Sequence, residues 1–107
     1  MVRDIYLAKI DFTDGTGSKI RPILLIQKNT YGDYIFIPLS TNLKAKGILI
    51  VDEGIEKGSL LKKTVAIIEK ISVISSALLI RKIAQVNEEL YTKIIHAICE
   101  FIRKNKY

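Results

Sequence analysis

Three runs in this chain, ILLI at 23–26, YIFI at 34–37 and ILIV at 48–51, are apolar at every position, and any fold it adopts has to bury them on both sides. A strand turns successive side chains to opposite faces, so runs of this kind belong in a sheet whose two faces are both covered. Isoleucine occurs twenty times in 107 residues, and β-branched side chains suit a pleated surface better than a helix. A lone antiparallel sheet would leave one face bare. A small barrel with a helix laid across part of it buries the inside, and a second subunit could bury the rest, so the expectation is a mainly β barrel assembled as a homodimer.

The punctuation of the chain divides it into six strands and a helix. Asp4 to Ile10 reads as a first strand, followed by a turn-rich loop from Asp11 to Ser18. Arg21 to Gln27 is a second strand, with Pro22 at its start. Lys28 to Asp33 is a hairpin turn, and Tyr34 to Ser40 a third strand in which Pro38 marks an edge or bulge. Gly47 to Val51 is a fourth strand, Val65 to Ile71 (VAIIEKI) a fifth, and Leu79 to Ala84 a sixth, opened by a turn at Ser75 and Ser76. The last segment changes period. Asn87 is a good N-cap, Glu88 and Glu89 lie where the helix dipole favours acids, and Leu90, Ile94, Ile95, Ile98, Phe101 and Ile102 share a helical stripe. Lys104 and Lys106 complement the other end of the dipole. With no repeat and no linker, residues 1–107 read as one domain.

Several function classes fall away on composition. The longest uncharged windows, Tyr34 to Leu43 and Ile71 to Ile80, have ten residues each, against about 20 needed to cross a bilayer, so no membrane partner is expected. One cysteine forbids an internal disulfide, and no apolar N-terminal stretch follows a charged one. Both point to an intracellular, cytoplasmic protein. The lone histidine and cysteine, His96 and Cys99, stand three apart on the final helix and do not make a metal site or a nucleophile-base pair. They read as residues on or beside the packed stripe. Gly15 and Gly17 lack the rest of a phosphate-binding loop, so neither nucleotide nor metal cofactor is expected.

Seventeen Lys and Arg against eleven Asp and Glu give a charge of +6, which suits an acidic partner. The excess concentrates between residues 15 and 50, where five cations face one acid, Asp33. Polar groups gather at strand ends there: Lys19 and Arg21 entering the second strand, Ser40 and Thr41 leaving the third, then Lys44 and Lys46. Glu69 stands in the otherwise apolar fifth strand with Lys70 beside it. Taken singly, each reads equally well as a strand end, a solvated charge or half of a cross-strand pair. Together they supply a guanidinium for a phosphate, two hydroxyls and a carboxylate, which suits phosphodiester cleavage. RNA carries its own nucleophile, the 2′-OH, so such a site has only to orient it, take its proton, neutralise the developing charge and protonate the leaving oxygen.

In this order of motifs the chain resembles the MazF/PemK (Kid-like) toxins of type II toxin–antitoxin systems. DIYLAKIDFTDGTGSKIRPILLIQ at 4–27 resembles that family's opening strand, glycine-bearing loop and Arg-Pro-led strand. IPLST at 37–41 resembles its third strand with terminal hydroxyls, and GSLLKKTVAIIEKISVIS at 58–75 its segment with an acid in an apolar strand. The resemblance implies an SH3-like β-barrel with a C-terminal helix, dimeric, acting as a sequence-selective, metal-independent endoribonuclease on single-stranded RNA and held in check by an acidic antitoxin. It implies catalytic roles for Arg21 at the scissile phosphate, for Ser40 or Thr41 as hydroxyl donors, and for Glu69 as base or as orienter of Arg21. Lys19, Lys44, Lys46 and Lys70 would hold RNA. Two departures stand out: Lys19 occupies a place where Glu, Gln or His is usual, and Ile67 stands where some relatives carry an Arg. That leaves Lys19, Lys62, Lys63 or Lys70 as the substitute cation. Two other readings remain open, a non-catalytic barrel that binds nucleic acid or peptide, and a gyrase-poisoning toxin on the same fold, whose C-terminal aromatic-bearing segment Tyr107 matches only feebly.

Overall fold

The computed structural model describes residues 2–11 and 15–104. Its elements are β1 (Asp4–Asp11), β2 (Ser18–Lys28), β3 (Asp33–Ser40), β4 (Ile48–Ile50), β5 (Ile55–Gly58), β6 (Thr64–Ala66), β7 (Ser72–Ser75), β8 (Leu79–Val86) and α1 (Glu88–Lys104). Short 3₁₀ turns occupy Asp52–Gly54, Ile68–Lys70 and Ser76–Leu78. The strands run antiparallel in the order β4-β6-β3-β2-β1-β8-β5, with β7 also on β3, and form a nearly closed barrel.

The all-apolar runs are divided between two cores. Leu24 and Ile26 of β2 and Ile37 of β3 point into the larger one, with Ile5, Val86 and the helix residues Leu90, Ile94 and Ile98. Ile23, Leu25, Tyr34 and Phe36 point the other way, into a smaller cluster with Ala8 and Ile74. Each of these smaller-cluster side chains is at most 6% exposed in the single chain. Two of the three runs are therefore largely covered on both faces without a second subunit, and the burial argument for a homodimer survives only at the run 48–51, where Leu49 of β4 and Val51 after it stay 43% and 46% exposed.

β3 is shared between two partners. Its first half, Asp33 to Phe36, pairs with β7, and its last two residues, Leu39 and Ser40, pair with β6. Pro38 lies at the changeover, and its carbonyl accepts the Ile67 amide at 3.0 Å. The β2–β3 ladder stops at Ile23 and Pro38, so Pro22, although inside β2 rather than at its start and in register with Leu7 of β1, lies just past the last pair with β3. A proline costs no bond to β3 at such a place.

The main corrections lie between residues 55 and 75. The connection after the fourth strand contains β5, which pairs with the edge of β8. VAIIEKI is not one strand: β6 ends at Ala66, and Ile68–Lys70 turns as a 3₁₀ helix before β7. Glu69 therefore sits on a corner and not in a strand.

The helix forms as its sequence implies. The Asn87 Oδ1 accepts the Leu90 amide at 2.8 Å, and its Nδ2 donates to the Glu53 carbonyl at 2.9 Å, so this one side chain caps α1 and ties it to the turn before β5. Ile102 departs from the stripe and is 60% exposed. His96 and Cys99 are both exposed, away from the packed face. Among the described residues no helix is long and apolar enough to cross a membrane. Residues 12–14 of the first loop, Lys106 and Tyr107 lie outside the described residues.

Candidate functional site

Where β1, β2 and β3 end together they leave a cavity of about 650 Å³. Arg21 reaches it from β2, Ser40 from the end of β3, Asp11 from the end of β1, and Lys70 from the 3₁₀ corner, over an apolar floor that includes Phe36 and Ile67. Arg21 pairs in register with Ala8 of β1, on the face of the smaller core, so its Cα is fixed by rigid sheet while its side chain stays exposed.

Ser40 is set by the loop that follows. Its Oγ accepts the Asn42 amide at 3.1 Å, and Asn42 Oδ1 in turn accepts the Lys44 amide at 3.0 Å. With its oxygen engaged in this way, the Ser40 hydroxyl keeps its proton to donate outward.

The 3₁₀ corner decides which of the later residues join Arg21. In a strand, Ile67 and Glu69 would share a face. In a turn of three residues, side chains three apart eclipse, so Ile67 and Lys70 come to the cavity together and Glu69 is rotated away. Glu69 instead meets Lys46, Oε2 to Nζ at 3.2 Å, beside the end of α1. Both partners are substantially exposed, and a pair of that kind contributes about 0.2–1 kcal/mol.

Of the eight residues expected from sequence, the structure thus gathers Arg21, Ser40 and Lys70. Glu69 and Lys46 pair elsewhere, and Lys19 and Lys44 do not line the cavity. Thr41 faces a different cavity, with Pro22 and Arg81. Of the four candidates for the missing cation, Lys70 stands with Ile67 in the Arg21 cavity. Sequence reading passed over Asp11, the carboxylate that lines this cavity, because it opens a turn-rich loop and acids are common there. The signal available was its register: Asp11 opposes Ser18, three residues from Arg21. Among the described residues no group of three or more His, Cys, Asp or Glu is placed to hold a metal ion.

One perturbed group lies outside the site. The Tyr91 hydroxyl donates to the Ile26 carbonyl at 2.6 Å, and burial raises its pKa above the usual 10, with the Arg3 charge opposing in part.

Comparison with solved structures gives the fold. The toxin MazF-mt6 of Mycobacterium tuberculosis superposes with a TM-score of 0.68 at 17% identity, over 98% of this chain and 100% of that one. An endoribonuclease in complex with its cognate antitoxin, from a mycobacterial species, superposes with a TM-score of 0.60 at 14% identity, over 100% of this chain and 96% of that one. Comparison with curated proteins gives no match. The model of the PemK-like, MazF-like toxins of type II toxin–antitoxin systems matches residues 2–102. With nearly the whole chain matched and the barrel and helix shared, this protein belongs to the PemK-like, MazF-like toxin family of type II toxin–antitoxin systems.

Proposed function

We propose that this toxin is a sequence-selective, metal-independent endoribonuclease of the cytoplasm that cuts single-stranded RNA and is neutralised by an acidic antitoxin. The observation that carries the reading is the convergence of Arg21, Lys70, Ser40 and Asp11 on one cavity at the strand ends. Two cations and a hydroxyl donor suit a phosphodiester, and one carboxylate suits the proton that must leave it.

In this scheme the RNA 2′-oxygen attacks the adjacent phosphorus, forming the 2′,3′-cyclic phosphate as the bond to the 5′-oxygen breaks. Asp11 takes the 2′-OH proton. The Arg21 guanidinium, with the Ser40 hydroxyl, holds the non-bridging oxygens as their charge grows, and Lys70 gives a proton to the departing 5′-oxygen. Arg21 stabilises charge here and does not donate a proton, since a guanidinium is not deprotonated in proteins. Thr41 and Glu69, implied as catalytic by the family resemblance, act outside this cavity in the proposal. Lys19 and Lys44, on the approaches, and Lys46, paired with Glu69, contribute at most to the diffuse positive field that draws RNA in. A homodimer would cover the exposed Leu49 of β4 and Val51 just after it.

The test is incubation of the purified protein with a long, mostly unstructured RNA in excess EDTA, mapping the ends beside an Arg21→Ala control. Discrete cuts ending in cyclic phosphate, slowed by about 10² or more in the control, support the reading. RNA that is bound but left whole, with Arg21→Ala indistinguishable, favours a non-catalytic binding module.

A further inference from the structure

A second cavity, of about 550 Å³, lies behind the first, between β8, β1 and β2 and the loop at 59–62. Its walls are apolar, formed by Leu7, Pro22, Leu60 and Ile83, with Arg81 and Lys62 at the rim. This size and this mixture of apolar wall and a few polar groups are what small planar ligands occupy, in pockets of about 300–1,000 Å³.

The cavity is built, and it adjoins the proposed active site. Thr64 is 3% exposed, and its hydroxyl donates to the Lys62 carbonyl at 3.0 Å, which fixes the backbone that carries Lys62. Gly58 opens the loop at φ +74°, where an added Cβ would run into the Ile83 carbonyl, so the chain turns there only with glycine. The two cavities share strand ends residue by residue: Arg21 and Ser40 face the first, and their successors Pro22 and Thr41 face the second. Lys82, also on the rim, is tied to the buried Asp4 at 3.1 Å, whereas Arg81 and Lys62 have no ion-pair partner among the described residues.

The geometry points to this second cavity as the subsite for the nucleobase next to the cleaved bond, with Arg81 and Lys62 holding that nucleotide's phosphate. The inference rests on the RNA-cleaving reading above and adds to it a specificity site. A strand whose scissile phosphate lies on Arg21 and Ser40 has to cross the edge of β2 that β3 leaves unpaired beyond Ile23 before its neighbouring base meets Pro22 and Ile83. An aliphatic wall buries any base face by apolar contact, while the hydroxyls of Thr41 and Ser59, at the same cavity, meet base edges and so discriminate.

The probe is a short single-stranded RNA spanning the mapped cut site, with a 2′-O-methyl group at the cut nucleotide so that it binds without reacting. One version is intact, and others carry an abasic residue at each flanking position in turn. In the wild type, one flanking abasic residue should weaken binding about tenfold, the loss of roughly 55 Å² of buried apolar base surface. Ile83→Trp, which fills the cavity, should bind the intact and abasic probes alike. Arg81→Ala, a surface change that leaves folding alone, should shrink the abasic penalty and lower the salt slope by about 0.7. An abasic penalty of the same size in the wild type, Ile83→Trp and Arg81→Ala overturns the subsite, and if the wild type still cuts RNA the catalytic reading stands. A wild type that neither binds nor cuts any RNA overturns both.

Discussion

The salt dependence of RNA binding follows from which cations the fold leaves unpaired at the two cavities. Of the 17 Lys and Arg, the first cavity presents Arg21 and Lys70, and the second presents Arg81 and Lys62. Lys82 and Lys46 already have carboxylate partners and have no counterion left to release. One strand spanning one site therefore makes four charge contacts between these cations and its phosphates, and with one counterion released per contact the slope of log K against log salt for single-stranded nucleic acid is about −2.8. Between 50 and 200 mM salt the affinity should fall about 50-fold, and for Arg21→Ala, with a slope of about −2.1, about 20-fold. Fluorescence anisotropy of the 2′-O-methyl probe over that range measures both. Arg21 is exposed, so its removal should change stability by no more than about 0.5 kcal/mol, and a thermal melt checks that the variant is folded. A wild-type slope shallower than about −1, or an identical slope in Arg21→Ala, would refute the assignment of these cations to phosphates.

The two carboxylates can be separated by cleavage rates: Asp11→Asn should slow the reaction about 10²-fold or more, while Glu69→Gln should leave it within about threefold. The reverse order would return the base to Glu69. Asn87→Ala removes both the cap of α1 and the bond to Glu53, together about 2 kcal/mol, and should lower the melting temperature by about 9 °C. A drop under about 2 °C would show the cap to be dispensable. Tyr91 holds its proton more tightly when folded, so its stabilising effect is complete below pH 10 and is lost as pH rises through the higher folded pKa. Tyr91→Phe should be less stable at neutral pH and should lack that part of the alkaline loss, as followed by urea melts across the range.

The long strands and the helix were legible because their periods are long enough to distinguish. β1, β2, β3 and β8 each span eight residues or more, and α1 carries a capped stripe. The apolar run at 65–71 misled because strand and tight helical turn look alike over so few residues, and the Ile67–Pro38 bond that breaks the strand is a tertiary contact. β5 has only Ile55 to recommend it, and its pairing is supplied by the edge of β8. The same corner explains what sequence could and could not say of the site. Arg21 and Ser40 occupy strand ends that the pattern locates, whereas the exchange of Glu69 for Lys70 beside Ile67 depends on three residues per turn instead of two. Asp11 gave no local signal and is recruited by register alone.

The division of β3 between two partners has a kinetic consequence. Among the described residues the small ribbon of β4 and β6 pairs with the rest of the barrel through Leu39 and Ser40, with the Ile67–Pro38 bond just beyond, whereas the first half of β3 lies between two full ladders. Amide protons on the ribbon should therefore exchange with solvent through a separate and cheaper opening than those of β1 and β2. Ser40 sits on that seam and Arg21 on the slow side of it. Each local opening thus separates the hydroxyl from the guanidinium, and the lifetime of the closed ribbon sets how long the two act as one site.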